Sequence, residues 1–446
     1  MSAAETLDCD LLVIGAGMAG MTAAALAAER GARVMVVEKA PEIGGSAALS
    51  GGYLWTATSL NQARRHDDGD PELKQVVIEE YPQVMAWLVS SGIDIGRPHA
   101  VLYGRGRQID MAAHLRRAVR LVESASGHVV RSTITHRLIV ENGAVCGAVT
   151  GHADGDVAIR APTMLLATGG FQANPELRAR HIHPAAREMQ LRSNPVSSGD
   201  GLTLGIAAGG AWAGPNSGFY GHLVAHPVTM KTDSDFVRFT QYHSIHGVLL
   251  NRQGQRFADE SDDDHASSQL VLRQNGATAL LVWDDHVQKN FAVAAPVAGA
   301  EPLDRFQIAM DAGARCAKLD SLEELAVFAG QLGFDGPACL ASMSAYNEAM
   351  RAAPERAVPA REKNDRPLDR APFYALEVAS AITFTYGGLF VDDRARALDC
   401  FGAPIPGLLV AGADVGNAYR RGYCGGLALA ATFAMRAMRT AGYCDG

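Results

Sequence analysis

The stretch that most constrains this chain runs from Leu11 to Lys39. An apolar run, Leu11-Leu12-Val13-Ile14, predicts a strand and breaks into Gly15-Ala16-Gly17-Met18-Ala19-Gly20. Met18 to Arg30, rich in Ala and nearly free of charge, predicts a helix ended by Gly31; Arg33 to Val37 predicts a second strand, closed by Glu38. Strand, G-x-G-x-x-G, helix, strand and acid together are the dinucleotide-binding fingerprint in its expected context. Gly15 permits the sharp turn, Gly17 lets backbone approach a pyrophosphate, and Gly20 lets the helix pack on the strand. The helix N-terminus offers free N–H groups and about half a positive charge to phosphates. Glu38 is placed to accept hydrogen bonds from a ribose diol. Leu11 to Ala28 also carries no charge over eighteen residues, close to the roughly twenty that span a membrane. The three glycines and the strand-like opening argue against a span.

At 446 residues the chain can hold two domains and a large core. Forty basic against forty-eight acidic residues give a net charge of −8, which leaves no electrostatic footprint for nucleic acid. The seven cysteines are odd in number, scattered and without a C-x-x-C pair. That usage predicts a reducing cytoplasm and no zinc or iron–sulfur site. No basic segment followed by an apolar one opens the chain, so no signal peptide is expected. The expectation is a cytoplasmic protein with a small-molecule substrate, without a membrane, nucleic-acid or metal partner.

Beyond Glu38 come Lys39, then Gly44-Gly45-Ser46 and Ser50-Gly51-Gly52; glycine pairs so near the ribose acid suggest backbone wrapped round a long, flat ligand, or else a flexible loop. Residues 71–91 and 109–123 pattern as amphipathic helices, while 129–140 and 144–150 alternate like strands joined by a turn at Asn142-Gly143. Met164 to Ala167 predicts a buried strand running into Thr168-Gly169-Gly170, a second close approach to the nucleotide. Gly199-Asp200-Gly201 reads as a turn or as a carboxylate beside a ribityl chain. From about residue 218 the composition shifts to His, aromatic and acidic residues, and 353–372 reads as a Pro-rich linker. Glycines then return in Tyr386-Gly387-Gly388, in Gly412-Ala413-Asp414 and in Gly425-Gly426, which opens a helix from Leu427. The predicted class is α/β: a Rossmann-like nucleotide domain (1–217 and 376–446) interrupted by an inserted α+β capping domain (218–375).

These motifs resemble, in order and over nearly the whole chain, the flavoprotein family of soluble fumarate reductase, succinate dehydrogenase and 3-ketosteroid dehydrogenase. The resemblance implies FAD and redox chemistry on a C–C bond, with hydride passing between a substrate carbon and flavin N5. It implies FAD contacts at Ala19, Glu38, Ser46, Gly51, Gly52, Asp200, Asp414, Ala428 and Leu429, with Ile134 near the adenine. Gly15, Gly17, Gly20, Lys39, Gly44, Gly45, Ser50, Ala167, Thr168, Gly169, Tyr386, Gly412 and Leu427 fall in the same motifs and complete the cofactor set. Succinate dehydrogenase links its flavin through a His in the loop after the ribose acid. Residues 44–52 contain no His, so non-covalent FAD is expected. The helix beginning at Gly425-Gly426 would then favour negative charge on the reduced flavin by ~0.3–1 kcal/mol, up to ~2 if partly buried.

The family's dicarboxylate site is poorly matched. His246 fits one of its histidines. The other histidine is replaced by Phe384-Thr385-Tyr386, two of its arginines by Tyr423 and by Asp262-Asp263-Asp264, and the proton-donating Arg falls loosely on Gln288. A site stripped of cations would bind fumarate badly, because an unpaired buried carboxylate costs several kcal/mol. Tyr423 instead suits the ketosteroid dehydrogenases, which carry a Tyr before these glycines as base on the carbon beside a ketone. Half-ionisation of a tyrosine near neutrality needs about 4 kcal/mol of local stabilisation, expected here from Arg420, Arg421 and the helix N-terminus. The other reading of Tyr423 is a packing residue over the flavin. Tyr242, His243 and His246 read as strand, which would put Tyr242 and His246 on one face, able to hydrogen-bond a carbonyl. Arg256 reads as an anchor of the cap or a substrate contact. His222 and His226 read as surface rather than metal ligands, Asp262–Asp264 as a solvated acidic loop, and Cys424 as a small core residue. The expectation is an FAD-dependent dehydrogenase or ene-reductase using Tyr423, with an unidentified separate electron donor or acceptor. Two alternatives are a carboxylate-directed reductase using His246 and Arg421, and a flavin-binding electron-transfer accessory protein.

Overall fold

The computed structural model describes residues 6–152, 155–214, 217–295 and 301–444. The chain divides into two compact units: Met1–Ile182 with Ser193–Phe219 and Phe384–Gly446, and His183–Arg192 with Tyr220–Thr383.

The first unit is built on a six-stranded sheet in the order Arg396–Leu398, Pro404–Val410, Thr163–Leu166, Leu11–Ile14, Val34–Val37 and His128–Val130. All neighbours run parallel except the first pair. Leu11–Ile14 and Val34–Val37 are buried on both faces, which is why they read as continuous apolar runs instead of alternating. The helix Met18–Glu29 is buried from Met18 to Ala28; its alanines let it lie close to its neighbours, among them the C-terminal helix Gly426–Thr440. Here a charge-free eighteen-residue run is an interior strand–turn–helix. Among the described residues no helix is long and apolar enough to cross a membrane.

The stretch 129–140 does not form one strand. His128–Val130 becomes the edge of the central sheet, whereas Ile134–Glu141 pairs with Ala144–His152 in a separate four-stranded sheet. The break falls at Ser132, whose φ is +52°, a left-handed residue that no strand continues through. The hairpin turn is where the sequence puts it, with Asn142 and Gly143 both at positive φ. Helices occupy Pro71–Ser90, capped by Asp70, and Met111–Ser124, capped by Asp110.

The second unit carries a sheet of Gln190–Leu191, Phe373–Thr385, Thr278–Asp284 and Val248–Leu250, with Phe219–Ala225 and Cys316–Leu319 also paired to the long 373–385 strand. Its core gathers Trp283, Phe306, Tyr346 and Tyr374. Residues 353–372 are not a free linker. Arg361 is buried and donates to the carbonyls of Ile245 and Gly247 while pairing with Glu260 at 3.1 Å. Proline-rich composition signalled irregular backbone, and the buried ion pair fixes that backbone in place.

Candidate functional site

In the first unit the opening turn is shaped by exclusion. Gly15 has φ +103°, and a Cβ there would stand 2.4 Å from the Ala167 carbonyl oxygen; one on Gly20 would stand 1.9 Å from that of Gly15. At Gly17 a Cβ would meet nothing nearer than Gly44 O at 3.8 Å, so the chain leaves room in front of it. Gly17 is the N-cap of the helix and no side chain caps it, leaving first-turn N–H groups facing that room. Ala19 lies in this turn, buried.

Glu38 is buried, and its two carboxylate oxygens accept from Ala16 N–H and Ala40 N–H, each at 2.8 Å. Each oxygen keeps a second lone pair, so the fixed carboxylate can still receive a diol. Lys39 donates to Ser198 Oγ at 2.7 Å and pairs with Asp200 at 2.6 Å, so Asp200 is half of an ion pair and not a lone carboxylate. Gly44 N–H donates to Ala16 O at 2.8 Å, which ties the Gly44-Gly45 loop to the glycine turn. Ser46 Oγ lies 2.9 Å from Ser193 Oγ, and Ser50 Oγ accepts from Gly52 N–H at 3.2 Å, bending the chain at Gly51. Ala167 follows the central strand. Thr168 donates from both its N–H and its hydroxyl to Asp414, and Gly169 faces only Ser197 Oγ at 3.5 Å. Burial pushes the Asp414 carboxyl up to about 6. Gly412 opens the turn holding Asp414, and Tyr386 is buried edge-on to Tyr419. Ile134 stands half exposed at the start of an edge strand of the small sheet.

The C-terminal helix begins at Gly425, where φ is +92° and a Cβ would stand 2.0 Å from Trp55 O, so only glycine fits. Leu427 and Ala428 supply first-turn N–H groups with no intrahelical acceptor. Leu429 is buried, and its N–H donates to Gly425 O. Tyr423 Oη accepts the Gly426 N–H at 2.7 Å, and its ring packs edge-on to Trp55, Phe384 and Tyr419. The expected acidification by Arg420 and Arg421 is not what the structure supports. Both side chains are exposed, Arg421 reaches Asp68 at 3.5 Å, and burial pushes the Tyr423 phenol up to about 12. Tyr423 therefore carries its proton at neutral pH. Cys424 is buried and accepts from Ala57 N–H, as a core residue does.

The sequence reading missed what holds this loop. Asp67, buried, accepts from the N–H groups of Arg420, Arg421 and Gly422 at 2.7, 2.7 and 2.9 Å and pairs with buried Lys74 at 2.7 Å. In sequence, His66-Asp67-Asp68-Gly69-Asp70 looks like an acidic surface loop; nothing local marks a partner more than 350 positions away.

In the second unit Tyr242 to His246 form a 3-10 helix, not a strand, so the expected shared face is lost. Tyr242 is exposed, with the Arg305 guanidinium over its ring at 5.2 Å. His246 stacks on Phe291 at 3.7 Å, and burial lowers it to about 4. The Arg256 side chain is buried and forked onto Glu260, with Nη2 at 2.9 Å, and donates to Pro359 O, the contacts of an anchor within the unit. Gln288 is buried between Trp283 and Asp304. His222 and Asp264 are not solvated. They are buried and bonded to each other at 2.6 Å, because Phe219–Ala225 is an interior strand and Asp263 caps the helix Asp264–Leu272.

The FAD binding domain family matches residues 10–426. Among curated relatives, the cytochrome-type fumarate reductase of Shewanella frigidimarina is 27% identical over 94% of this chain and 74% of its own length. The 4-oxocyclohexanecarboxylate 2-dehydrogenase of Sinomonas cyclohexanicum is 25% identical over 93% and 89%. The 3-ketosteroid-delta4-(5alpha)-dehydrogenase of Rhodococcus jostii, solved with 4-androstene-3,17-dione, shares the fold with a TM-score of 0.75 at 21% identity, covering 98% of this chain and 97% of that one. The open room at Gly17, the uncapped helix start and the fixed Glu38 carboxylate are the donor and acceptor set that an adenine dinucleotide requires. The chain belongs to the FAD binding domain family and is an FAD-dependent oxidoreductase.

Proposed function

We propose that the protein reduces or introduces a C=C bond next to a carbonyl group, with Tyr423 as the proton donor or acceptor at the reacting carbons. Bound FAD supplies the hydride acceptor or donor. Gly15, Gly17, Gly20 and the first turn after Ala19 would take its pyrophosphate, Glu38 its ribose, and Leu427 and Ala428 its ring edge. With no His in residues 44–52, attachment is non-covalent, and electrons come from or go to a separate partner.

The observation that carries this reading is the Tyr423 oxygen held on the Gly426 N–H at the start of a helix. That bond uses the Tyr423 oxygen as an acceptor and fixes where the hydroxyl stands. Removing the phenolic proton at pH 7 from a group near 12 takes about 7 kcal/mol. Tyr423 is therefore better supplied as a donor than as a base, which favours reduction at this residue. The ketone-acting Sinomonas dehydrogenase among the relatives supports the carbonyl. The carboxylate-directed alternative draws less support, since Arg421 is exposed beside Asp68 and His246 is held neutral.

Tyr423→Phe should keep the yellow colour and FAD content while slowing anaerobic flavin oxidation by cyclic enones by ~100-fold or more. Full activity in that variant would remove Tyr423 from the mechanism. Bleaching of the purified protein by a cyclic ketone, with no other protein present, would exclude the accessory electron-transfer role.

A further inference from the structure

Within the second unit two histidines close on one carboxylate. His222 Nδ1 lies 2.6 Å from Asp264 Oδ2, and His265 Nδ1 lies 3.2 Å from Asp264 Oδ1 and 2.9 Å from Gly221 O. All three side chains are buried, and one ligand atom from each stands within 4.8 Å of the others. The whole cluster belongs to one compact unit. In sequence the neighbour that draws the eye is His226; the fold instead brings His222 to residues more than forty positions on.

As a hydrogen-bond network the arrangement is short of protons. A neutral imidazole carries a single N–H. Burial lowers His222 to about 3, so at pH 7 its ring is neutral, the form that binds metals. His265 Nδ1 faces two acceptors, Asp264 Oδ1 and Gly221 O, with at most one proton to give. Nitrogen and oxygen lone pairs thus gather in one small volume with few donors among them, which is the condition a cation relieves.

The spacing suits a six-coordinate ion. Ligands bound at about 2.1 Å stand about 3.0 Å apart on neighbouring octahedral positions and about 3.4 Å apart in a tetrahedron. The separations of 2.6, 2.9 and 3.2 Å lie around the octahedral figure. Seating an ion widens the His222–Asp264 contact from 2.6 Å to about 3.0 Å. With Nδ1 on the metal, the His222 proton moves to Nε2, where Tyr220 Oη at 3.2 Å is placed to accept it. Such an outer hydrogen bond fixes the tautomer of metal-binding histidines. Two imidazoles with carboxylate and carbonyl oxygens, and no thiolate, suit an iron-, nickel- or zinc-type ion over calcium or magnesium, which take oxygen alone. Two features work against a cation. Arg192 adds positive charge near both His222 and Asp264, and Asp264 stands in the first turn of the helix Asp264–Leu272, at its positive end. The site is therefore weaker than a closed structural zinc site.

We propose that His222, Asp264 and His265, with the Gly221 carbonyl, bind one divalent first-row metal ion that ties the strand Phe219–Ala225 to the start of the helix Asp264–Leu272. Tyr220 is a positioning residue for the His222 ring. The inference is independent of the proposed redox reaction, no step of which passes through the ion.

The test uses full-length, FAD-loaded protein without a histidine tag, dialysed against EDTA and titrated with Zn2+ by calorimetry. Metal retained after desalting is counted by mass spectrometry. One Zn2+ per chain should bind with a Kd below about 10 μM. Asp264→Asn and His265→Gln should each weaken binding by ~100-fold, and Tyr220→Phe by ~10-fold. His136→Gln, which removes an exposed histidine–aspartate pair elsewhere, should leave it unchanged. Co2+ in place of Zn2+ should give weak bands on the long-wavelength side of the oxidised flavin, altered in Tyr220→Phe and lost in Asp264→Asn. Circular dichroism and FAD absorbance identify folded variants. Should neither buried-site variant fold, Tyr220→Phe, made at a partly exposed ring, decides the matter. Less than one Zn2+ per chain, a Kd above ~10 μM, or binding that follows His136 and ignores Asp264, His265 and Tyr220 would overturn the proposal. Failure of every ketone and enone to change the flavin spectrum would sink the redox reading and leave the metal result standing.

Discussion

Asp67→Asn is the most informative single change in the first unit. The carboxylate is 1% exposed and its Lys74 partner 2%. Its Oδ1 gathers three loop N–H groups, and its Oδ2 accepts from Gly69 N–H at 2.9 Å as well as meeting Lys74. Asparagine keeps one acceptor oxygen for the loop but turns an NH2 toward two donors. The Lys74 ammonium is left with only the carbonyls of Asp67 and Gly69, at 2.6 and 2.9 Å. Breaking a buried pair from one side costs about 3–5 kcal/mol. At roughly 1–2 °C per kcal/mol for a unit of this size, that is a fall in melting temperature of about 3–10 °C. Because Arg420, Arg421 and Gly422 lead directly into Tyr423, flavin should also be released earlier in the melt than in the parent. Circular dichroism and flavin fluorescence, recorded on one temperature ramp, measure both effects. Adding Lys74→Met removes the stranded charge and should recover part of the melting temperature without restoring flavin retention. A single variant melting within ~2 °C of the parent would show that the pair carries little of the stability inferred from its burial.

Glu38→Ala should empty the protein of FAD on dialysis while circular dichroism is kept, since among the described residues the carboxylate bonds the Ala16 and Ala40 backbone alone; retained yellow colour would refute the ribose role. Arg256→Met leaves Glu260 with Arg361 and the Leu249 N–H, and should destabilise the second unit by a few kcal/mol with Tyr423-dependent chemistry retained in the folded fraction; loss of substrate affinity without loss of stability would refute the anchor. Stability should fall on acidification below about pH 6.5. Burial lowers His114 to about 4 and His222 and His243 to about 3, so the unfolded chain takes up protons first, and stability present above 6.5 is lost as pH falls toward 3–4. Each contributes at most about 2 kcal/mol by pH 5, read as a drop in urea midpoint between pH 7 and 5; an unchanged midpoint would refute the buried neutral state.

Much of the fold and cofactor site could be read from Leu11–Glu38, from Thr168-Gly169 and from Gly425-Gly426, because there the physics is local. A strand buried on both faces must be apolar, a turn against a phosphate must lack Cβ, and an uncapped helix start must be glycine. Neighbours along the chain sufficed to recognise them. The catalytic surroundings depend instead on partners far apart in sequence. Tyr423 looked acidifiable because two arginines precede it, yet those side chains turn to solvent and burial raises the phenol. Asp67, Asp264 and Arg361 sit in sequences that pass for solvated loops, and each becomes a buried, paired charge only when distant backbone closes over it. Burial sets the electrostatic energy of such groups, and burial is a property of the folded chain. The amino-acid order thus determined which cofactor the fold can cradle, whereas which side chains keep, give or pass a proton was decided by what packs around them.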